Sequence, residues 1–176
     1  MRLVLGLVLA LLAAPAAAKD IGIAAFYGVW EGNAVSESEI SLYFRLTSRD
    51  IGVEVRPAGN GFSITWKTVQ RQKGDPNKPV ERLKSATTTY QPLRPGVWAA
   101  EGNQEPLTTP GGVYSWAYVR DNTLVIKSLA ISNDGGHEMQ IYERTLSGTG
   151  MELRFSRLQD GEEVRTAKGR LIKVAK

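Results

Sequence analysis

Cysteine is absent from this sequence of 176 residues, and histidine occurs only once, at position 137. Without cysteine the chain has no disulfide, no thiol nucleophile and no thiolate ligand for a metal. A lone histidine beside a predicted turn also argues against a nucleophile–base pair. Together Asp134, His137 and Glu138 supply a single nitrogen ligand, which makes a poor metal site. We therefore predict that the protein is not an enzyme and carries neither a metal nor another cofactor.

An excess of charge of one sign is also missing. The 22 Lys and Arg residues stand against 18 Asp and Glu, so that the formal net charge is +4 at pH 7. The basic residues are interspersed with acids along the chain rather than gathered in a run. Nucleic-acid-binding proteins concentrate basic residues on one face. We therefore predict that nucleic acid is not a partner.

The sequence has one long apolar run, at 3–14, and it is shorter than the roughly 20 residues that a membrane-spanning helix needs. Arg2 precedes the run, and a proline and three alanines follow it. This order is typical of a secretory signal peptide, here cleaved after Ala18. We expect residues 1–18 to be removed, residues 19–176 to form a single domain without a transmembrane segment, and the protein to be periplasmic or secreted.

Residues 19–176 lack helical periodicity, and their apolar and polar residues alternate instead. Segments 51–56 and 151–157, IGVEVR and MELRFSR, show the two-residue period of a β-strand. Turn sequences such as RDNT, NDGG and SGTG separate the alternating runs at hairpin spacing. We predict an all-β fold, an antiparallel up-and-down meander of about eight to ten strands that closes into a barrel.

The segment FYGVWEG begins the first predicted strand. Its Gly28-Val29-Trp30 resembles the Gly-x-Trp opening of the calycin barrels, which include the lipocalins, avidins and fatty-acid-binding proteins. The resemblance implies that Trp30 closes one end of a barrel and that an arginine of the last strand, Arg165 or Arg170, packs across it. The second motif of the lipocalins, a Thr-Asp-Tyr turn, is absent.

Hairpin geometry predicts which side chains face the barrel interior. A two-residue turn at 121–122, another at 134–135 and a three-residue loop at 147–149 align one largely apolar face on four consecutive strands. Several of these interior residues are small, which leaves volume for a ligand. The candidate ligand-binding residues are Trp30, Ser115, Ala117, Ser128, Ile141, Glu143, Phe155 and Arg157.

The same register turns an aromatic and aliphatic set outward: Tyr114, Trp116, Tyr118, Val125 and Leu129. It also places Arg144 on the exterior, opposite Glu152, where the two form a cross-strand ion pair. Strands with two apolar faces are covered on both sides. The outward set therefore predicts an interface with a second copy or an envelope protein, or else a cover formed by residues 19–27 or 101–112 of the same chain.

The sequence leaves two functional hypotheses. In the first, the protein is an exported lipocalin- or avidin-like barrel that binds a small apolar or amphipathic ligand in its interior. In the second, it is an envelope protein-interaction module whose core is solid and whose external aromatic surface contacts a partner, without a small ligand. The small interior residues favour the first hypothesis, and the external aromatic set favours the second.

Overall fold

The computed structural model describes residues 21–40, 46–71, 81–148 and 150–175. The signal peptide predicted for residues 1–18 lies outside the described residues. The described chain contains a short 3-10 helix, Ile23–Phe26, and ten β-strands. The strands are β1 (Gly28–Ser38), β2 (Leu46–Ala58), β3 (Gly61–Arg71), β4 (Glu81–Arg94), β5 (Val97–Ala100), β6 (Val113–Arg120), β7 (Thr123–Ile131), β8 (His137–Ser147), β9 (Gly150–Gln159) and β10 (Glu162–Ala175).

The ten strands form a closed barrel in which every strand pairs with the next one along the chain and β1 pairs with β10. All pairings are antiparallel, so that the order is up and down throughout. The structure therefore confirms the predicted all-β meander and its closure. In the part of the chain that the structure describes, no helix is long and apolar enough to cross a membrane.

One end of the barrel is filled by an apolar cluster around Trp30. Trp30 is 4% exposed, and its indole Nε1 donates a hydrogen bond of 2.9 Å to the carbonyl oxygen of Phe26. Phe26 is fully buried and belongs to the 3-10 helix, which thus plugs this end of the barrel. We call it the closed end. Further members of its cluster are Val55, Phe62, Leu124, Met151 and Leu171.

Gly28 lies where the start of β1 passes close to the end of β10. Its φ is +132°, a backbone conformation that favours glycine. A Cβ added at Gly28 would lie 2.4 Å from Cε of Lys173 and 2.6 Å from the carbonyl oxygen of Ala175. Only a residue without a side chain fits this position, as the Gly-x-Trp opening implies.

The cation that packs on Trp30 is a lysine. Nζ of Lys173 stands 5.2 Å from the centre of the Trp30 ring, within range of a cation–π contact. The expectation of Arg165 or Arg170 is therefore wrong. A register shift after Val29 pairs Trp30 with Lys173, whereas Arg165 lines a cavity farther along the barrel and Arg170 is exposed.

The hairpin of β6 and β7 has the register that the sequence predicts. Val113 pairs with Ala130, and the pairing continues without a shift to the turn. Ser115 is consequently turned inward and buried, while the neighbouring Trp116 is turned outward and half-buried. The predicted orientation of the side chains on these two strands is correct.

The predicted register of β8 is wrong by one residue, so the predicted orientation of its side chains is inverted. The sequence predicts a two-residue turn at 134–135, but Ile131 pairs with His137. The intervening loop is closed by a hydrogen bond of 2.8 Å from the backbone N–H of Ser132 to the carbonyl oxygen of Gly136. This loop has an odd number of residues, and a change from even to odd length exchanges the two faces of the strand that follows.

The shift moves two predicted interior residues, Ile141 and Glu143, to the outer surface. There a carboxylate oxygen of Glu143 lies 3.9 Å from Nε of Arg154. Conversely, Arg144 is 3% exposed and faces the interior, so that its predicted external ion pair with Glu152 does not form. The barrel therefore contains a buried cation where the sequence predicts an apolar face.

A second difference restores the orientation of β9. Ser147 pairs with Gly150, which leaves two residues between them rather than the three-residue loop predicted at 147–149. The two register errors cancel because each one inverts the strand that follows it. Phe155 and Arg157 consequently face the interior, as the sequence predicts.

Replacing Trp30 by alanine is expected to lower the free energy of unfolding by about 3–5 kcal/mol, since it empties the closed end. Urea unfolding followed by circular dichroism measures the loss. Trp116→Ala, which removes an outward indole, is the matched control and is expected to cost less. If the two variants unfold at the same urea concentration as the parent, Trp30 does not anchor the closed end.

Gly28→Ala is expected to lower the melting temperature more than Gly96→Ala does. Both glycines have positive φ, at +132° and +73°, but a Cβ on Gly96 meets no atom within 4 Å. Gly28→Ala combines a collision with β10 and a φ that L residues avoid more strongly than +73°, and both effects lower its stability relative to Gly96→Ala. Equal melting temperatures in differential scanning calorimetry would contradict the close approach.

Candidate functional site

The polarity of the interior changes along the barrel axis. The inward side chains of β8, taken from the closed end outward, are Leu146, Arg144, Tyr142, Gln140 and Glu138. Leu146 packs against the closed-end cluster, and every residue after it carries a polar group. The interior thus has an apolar half around Trp30 and a second half, here named the polar half, in which hydrogen-bonding groups line the wall.

Two cavities occupy the polar half. Their volumes are about 310 and 350 Å³. Four side chains border both cavities and stand between them: Trp66, Gln140, Tyr142 and Arg144. Volumes of this size lie at the lower end of the range found for small-molecule sites. The barrel interior therefore has room for a small ligand.

The first cavity, the hydroxyl cavity, has a wall of neutral hydroxyl groups. The hydroxyl oxygens of Tyr90 and Ser115 lie 2.9 Å apart, and Ser128 donates a hydrogen bond of 2.9 Å to Ser115. Burial raises the pKa of Tyr90, so its phenol stays protonated at neutral pH. Ile64 and Ile126 supply apolar wall beside this network. Glu101 and Arg144 also border this cavity, so neutral hydroxyls and apolar wall stand there beside one acid and one cation.

The second cavity, the arginine cavity, combines apolar and cationic walls. Its inward-facing side chains include Val53, Trp66, Leu153, Phe155, Lys84, Arg144, Arg157 and Arg165. No Asp or Glu occurs among the described residues that line it. The rings of Tyr142 and Phe155 pack against each other at 4.6 Å between their centres. This cavity therefore joins an aromatic surface to an excess of positive charge.

Arg144 is the deepest cation of the arginine cavity. It is 3% exposed, and its Nε and Nη1 are buried without a hydrogen-bond partner. Its guanidinium lies 5.2 Å from the centre of the Tyr142 ring. Desolvation lowers the pKa of Arg144 to about 10, although Tyr142 and Tyr90 act in the opposite direction. The side chain is still charged at neutral pH, so the barrel holds an incompletely paired buried charge.

The other two arginines lie farther from the closed end. Arg157 forms an ion pair and hydrogen bond with Glu138, which also accepts a hydrogen bond of 2.7 Å from Gln140. Burial alone would raise the pKa of Glu138, but the hydrogen bonds from Gln140 and Arg157 hold it below its usual range. The Nε atoms of Arg157 and Arg165 are nevertheless buried without a hydrogen-bond partner. The positive charge of the cavity is thus only partly offset.

The structure brings together half of the predicted ligand-binding residues. Ser115 and Ser128 border the hydroxyl cavity, and Phe155 and Arg157 border the arginine cavity. The others lie elsewhere: Trp30 and Ala117 in the closed-end cluster, Ile141 and Glu143 on the outer surface.

Sequence reasoning missed Trp66, Tyr142, Arg144 and Arg165. The alternation of FSITWKT at 62–68 places Trp66 on the same face as Phe62, so the sequence contains enough information to predict that Trp66 faces the interior. Tyr142 and Arg144 required the correct length of the loop before β8.

The predicted interface residues lie on the outer surface of β6 and β7. Val125 is 6% exposed, and the other four, Tyr114, Trp116, Tyr118 and Leu129, are half-buried. The rings of Tyr114 and Trp116 stand 6.3 Å apart. The shift of β8 adds Ile141 and Met139 to this surface, next to Lys127 and Leu129. We call the enlarged set the outer apolar face.

Both segments predicted as an alternative cover make contacts in the described part of the chain. The backbone N–H of Ile21 donates to the carbonyl oxygen of Asp121 at 3.2 Å, and Ile21 packs against the closed-end cluster. In the 101–112 segment, the side chain of Asn103 forms hydrogen bonds of 2.9 and 2.8 Å with the backbone of Ser115. These hydrogen bonds go to backbone atoms of Asp121 and Ser115 and involve no side chain of the outer apolar face.

His137 lies at the start of β8, where its ring nitrogen is 3.6 Å from a carboxylate oxygen of Asp160. Its side chain is 45% exposed. Within the described ranges, no group of three or more His, Cys, Asp or Glu residues is arranged to hold a metal ion. The contact is typical of a solvated turn rather than of a catalytic pair.

Comparison with known proteins supports the fold alone. No family model and no curated protein matches the sequence. The chain is similar in structure to a protein with unknown function from the DUF3598 family of Nostoc punctiforme PCC 73102, with a TM-score of 0.55 and 14% identity. This match covers 88% of the present chain and 50% of the other, so the chain spans half the length of that protein. An S-type phycobiliprotein lyase from Guillardia theta aligns with a TM-score of 0.36 and 10% identity, over 87% of this chain and 93% of that one. The closed ten-stranded barrel and the first similarity fit a calycin-like fold.

Proposed function

We propose that the protein binds a small amphipathic molecule inside the barrel and does not act on it chemically. The observation that carries this proposal is the pair of cavities, of about 310 and 350 Å³, that meet at Trp66 and Arg144. A barrel filled by its own side chains has no such space beyond its closed end. The apolar wall near Val53 and Phe155 and the polar groups beside it suit a ligand with one apolar and one polar part.

We further propose that the protein works outside the cytoplasm, in the periplasm or as a secreted protein. The support is the sequence of residues 1–18, with its single arginine, short apolar run and terminal alanines. The absence of cysteine leaves the barrel independent of the redox conditions in that compartment. Native mass spectrometry of protein purified from its own host tests both parts, since it reports the mass of the mature chain and of any retained ligand.

Filling the arginine cavity is expected to weaken binding of an apolar probe. Ala167 is 9% exposed and lines this cavity, while Thr166 next to it faces outward. Titration with the fluorescent probe N-phenyl-1-naphthylamine is expected to show at least about tenfold weaker binding to Ala167→Phe than to the parent, because the ring occupies the space of the ligand. Thr166→Phe adds the same ring outside and is expected to bind the probe normally.

Ala167→Leu repeats this test with a smaller side chain if the phenylalanine variant is unstable. A folded Ala167→Phe protein that binds the probe as tightly as the parent would exclude the cavity as the binding site. A parent protein that binds no probe would contradict the proposed function.

A second candidate function is the formation of a symmetric dimer through the outer apolar face. The observation that favours it is the shift of β8, which adds Ile141 and Met139 to the aromatic set around Trp116. Aromatic and Met side chains are enriched in the cores of protein interfaces. The charged pair of Glu143 and Arg154 borders the face.

Trp116→Arg is expected to abolish such a dimer, because it places a charge in the centre of the outer apolar face. Sedimentation velocity measures the mass in solution, and circular dichroism checks that the β-structure is retained. Val35→Arg is the matched control, since Val35 is 48% exposed on β1 and lies outside this face. A parent protein that is monomeric at all concentrations tested would rule out the dimer.

A further inference from the structure

Arg144 is a buried cation whose Nε and Nη1 atoms have no hydrogen-bond partner. The groups that act electrostatically on it are Tyr142 and Tyr90, and no carboxylate is among them. Arg157, by contrast, is paired with Glu138, and the outward Arg154 lies 3.9 Å from Glu143. Leaving a guanidinium buried with two unbonded nitrogens costs free energy that an apolar residue of similar size does not.

The position of Arg144 gives this charge access to both cavities. It lies between the hydroxyl cavity and the arginine cavity and borders each of them. Its Nε and Nη1 atoms lack partners, so the guanidinium keeps unused donors for an anionic group in the cavity. Arg157 and Arg165 add positive charge to the same wall.

From this geometry we propose that the natural ligand is an organic anion whose acidic group binds Arg144 and whose apolar body lies against Phe155 and Trp66. This inference rests on the proposed function and specifies the class of ligand. The acidic group supplies the missing acceptors of Arg144 within the barrel, and the aromatic and aliphatic walls exclude water from the ion pair. Carboxylates and phosphate or sulfate esters share the chemistry that Arg144 recognises.

The aromatic residues around Arg144 define the shape of the apolar body. Tyr142 and Phe155 pack at 4.6 Å, and the guanidinium lies 5.2 Å from the Tyr142 ring, so a rigid aromatic wall runs alongside the charge. A cavity of about 350 Å³ limits the ligand to a small molecule. A flat ring system or a short acyl chain with one acidic group fits these limits.

Two probes with the same aromatic body test the inference on the unaltered protein. N-phenyl-1-naphthylamine is neutral, and 8-anilinonaphthalene-1-sulfonate carries an added sulfonate. We expect the parent protein to bind the sulfonate at least about tenfold more tightly, the effect of a charge-assisted hydrogen bond in a buried site. Equal affinity would overturn the inference and leave the proposed function intact. If neither probe binds, both fall together.

Variants then locate the anion. Arg144→Met is expected to abolish the preference for the sulfonate while it keeps the affinity for the neutral probe. Arg154→Met removes an equal charge from the outer surface and is expected to keep the preference. An Arg144→Met protein that still prefers the sulfonate would overturn the assignment of Arg144. Ala167→Phe, which blocks the cavity, is expected to weaken the binding of both probes. This result would show that neither probe binds to the outer apolar face.

Competition distinguishes the two sources of the acidic group. We expect 1-naphthoate or 1-naphthyl phosphate to displace the sulfonate probe, and the tighter of the two identifies a carboxylate or a phosphate ester as the preferred group. The neutral 1-naphthol is expected to compete weakly. If 1-naphthol displaces the sulfonate probe as effectively as the two anions do, the site does not recognise negative charge and the inference is wrong.

The thermal stability of Arg144→Met separates a binding role from a structural one. If Arg144 is retained for an anion, its replacement by a methionine of similar length is expected to leave the melting temperature unchanged or raise it. Arg144→Lys, which keeps a charge but loses the planar pair of donors, is expected to bind the sulfonate with intermediate affinity. A large drop in melting temperature for Arg144→Met would show that the guanidinium holds the barrel together, and the inference would be wrong.

Discussion

Closure of the sheet between β1 and β10 requires two backbones to pass with no side chain between them. A Cβ on Gly32 would lie 2.0 Å from the carbonyl oxygen of Arg170, and one on Gly169 would lie 2.6 Å from the carbonyl oxygen of Asn33. The barrel has an interior only because this seam is closed. Once it is closed, the 3-10 helix and Trp30 cover one end, and the polarity of the inward residues increases with distance from that end.

The two halves of the interior contribute to stability with opposite signs. The closed end buries large apolar side chains such as Phe62 and Leu124, whose transfer from water is the main favourable contribution to folding. The polar half contains a buried guanidinium at Arg144, which opposes folding. The apolar cluster stabilises the fold enough to tolerate that cost. Such a separation is common where a site is held ready for a ligand at the expense of local stability.

The fold was predictable from the sequence because its signals are local. Alternation and turn residues specify each hairpin, and at Asp121, with φ of 53°, the turn has the conformation that a two-residue connection needs. The site was predictable only in part. The orientation of β8 depends on the length of the loop before it, which is closed by a backbone hydrogen bond between Ser132 and Gly136 and by side-chain hydrogen bonds of Ser132 and Asp134. The Asp-Gly pair at 134–135 predicts a two-residue turn instead. The residue on Trp30 depends on a register shift that leaves an extra residue, Val174, in β10, and this is likewise a property of the backbone.

Strand β8 contributes to both proposed sites, with Tyr142 and Arg144 toward the cavities and Met139 and Ile141 toward the outer surface. Whether the loop 132–136 has an odd or an even number of residues decides which of these two pairs of side chains faces the interior. Loops tolerate changes of length far better than strands do, so this connection is a point at which a single inserted or deleted codon exchanges the lining of the barrel for its exterior. Barrels of this architecture therefore have a route by which a binding pocket and a contact surface trade residues in one evolutionary step, without any substitution in the strand itself.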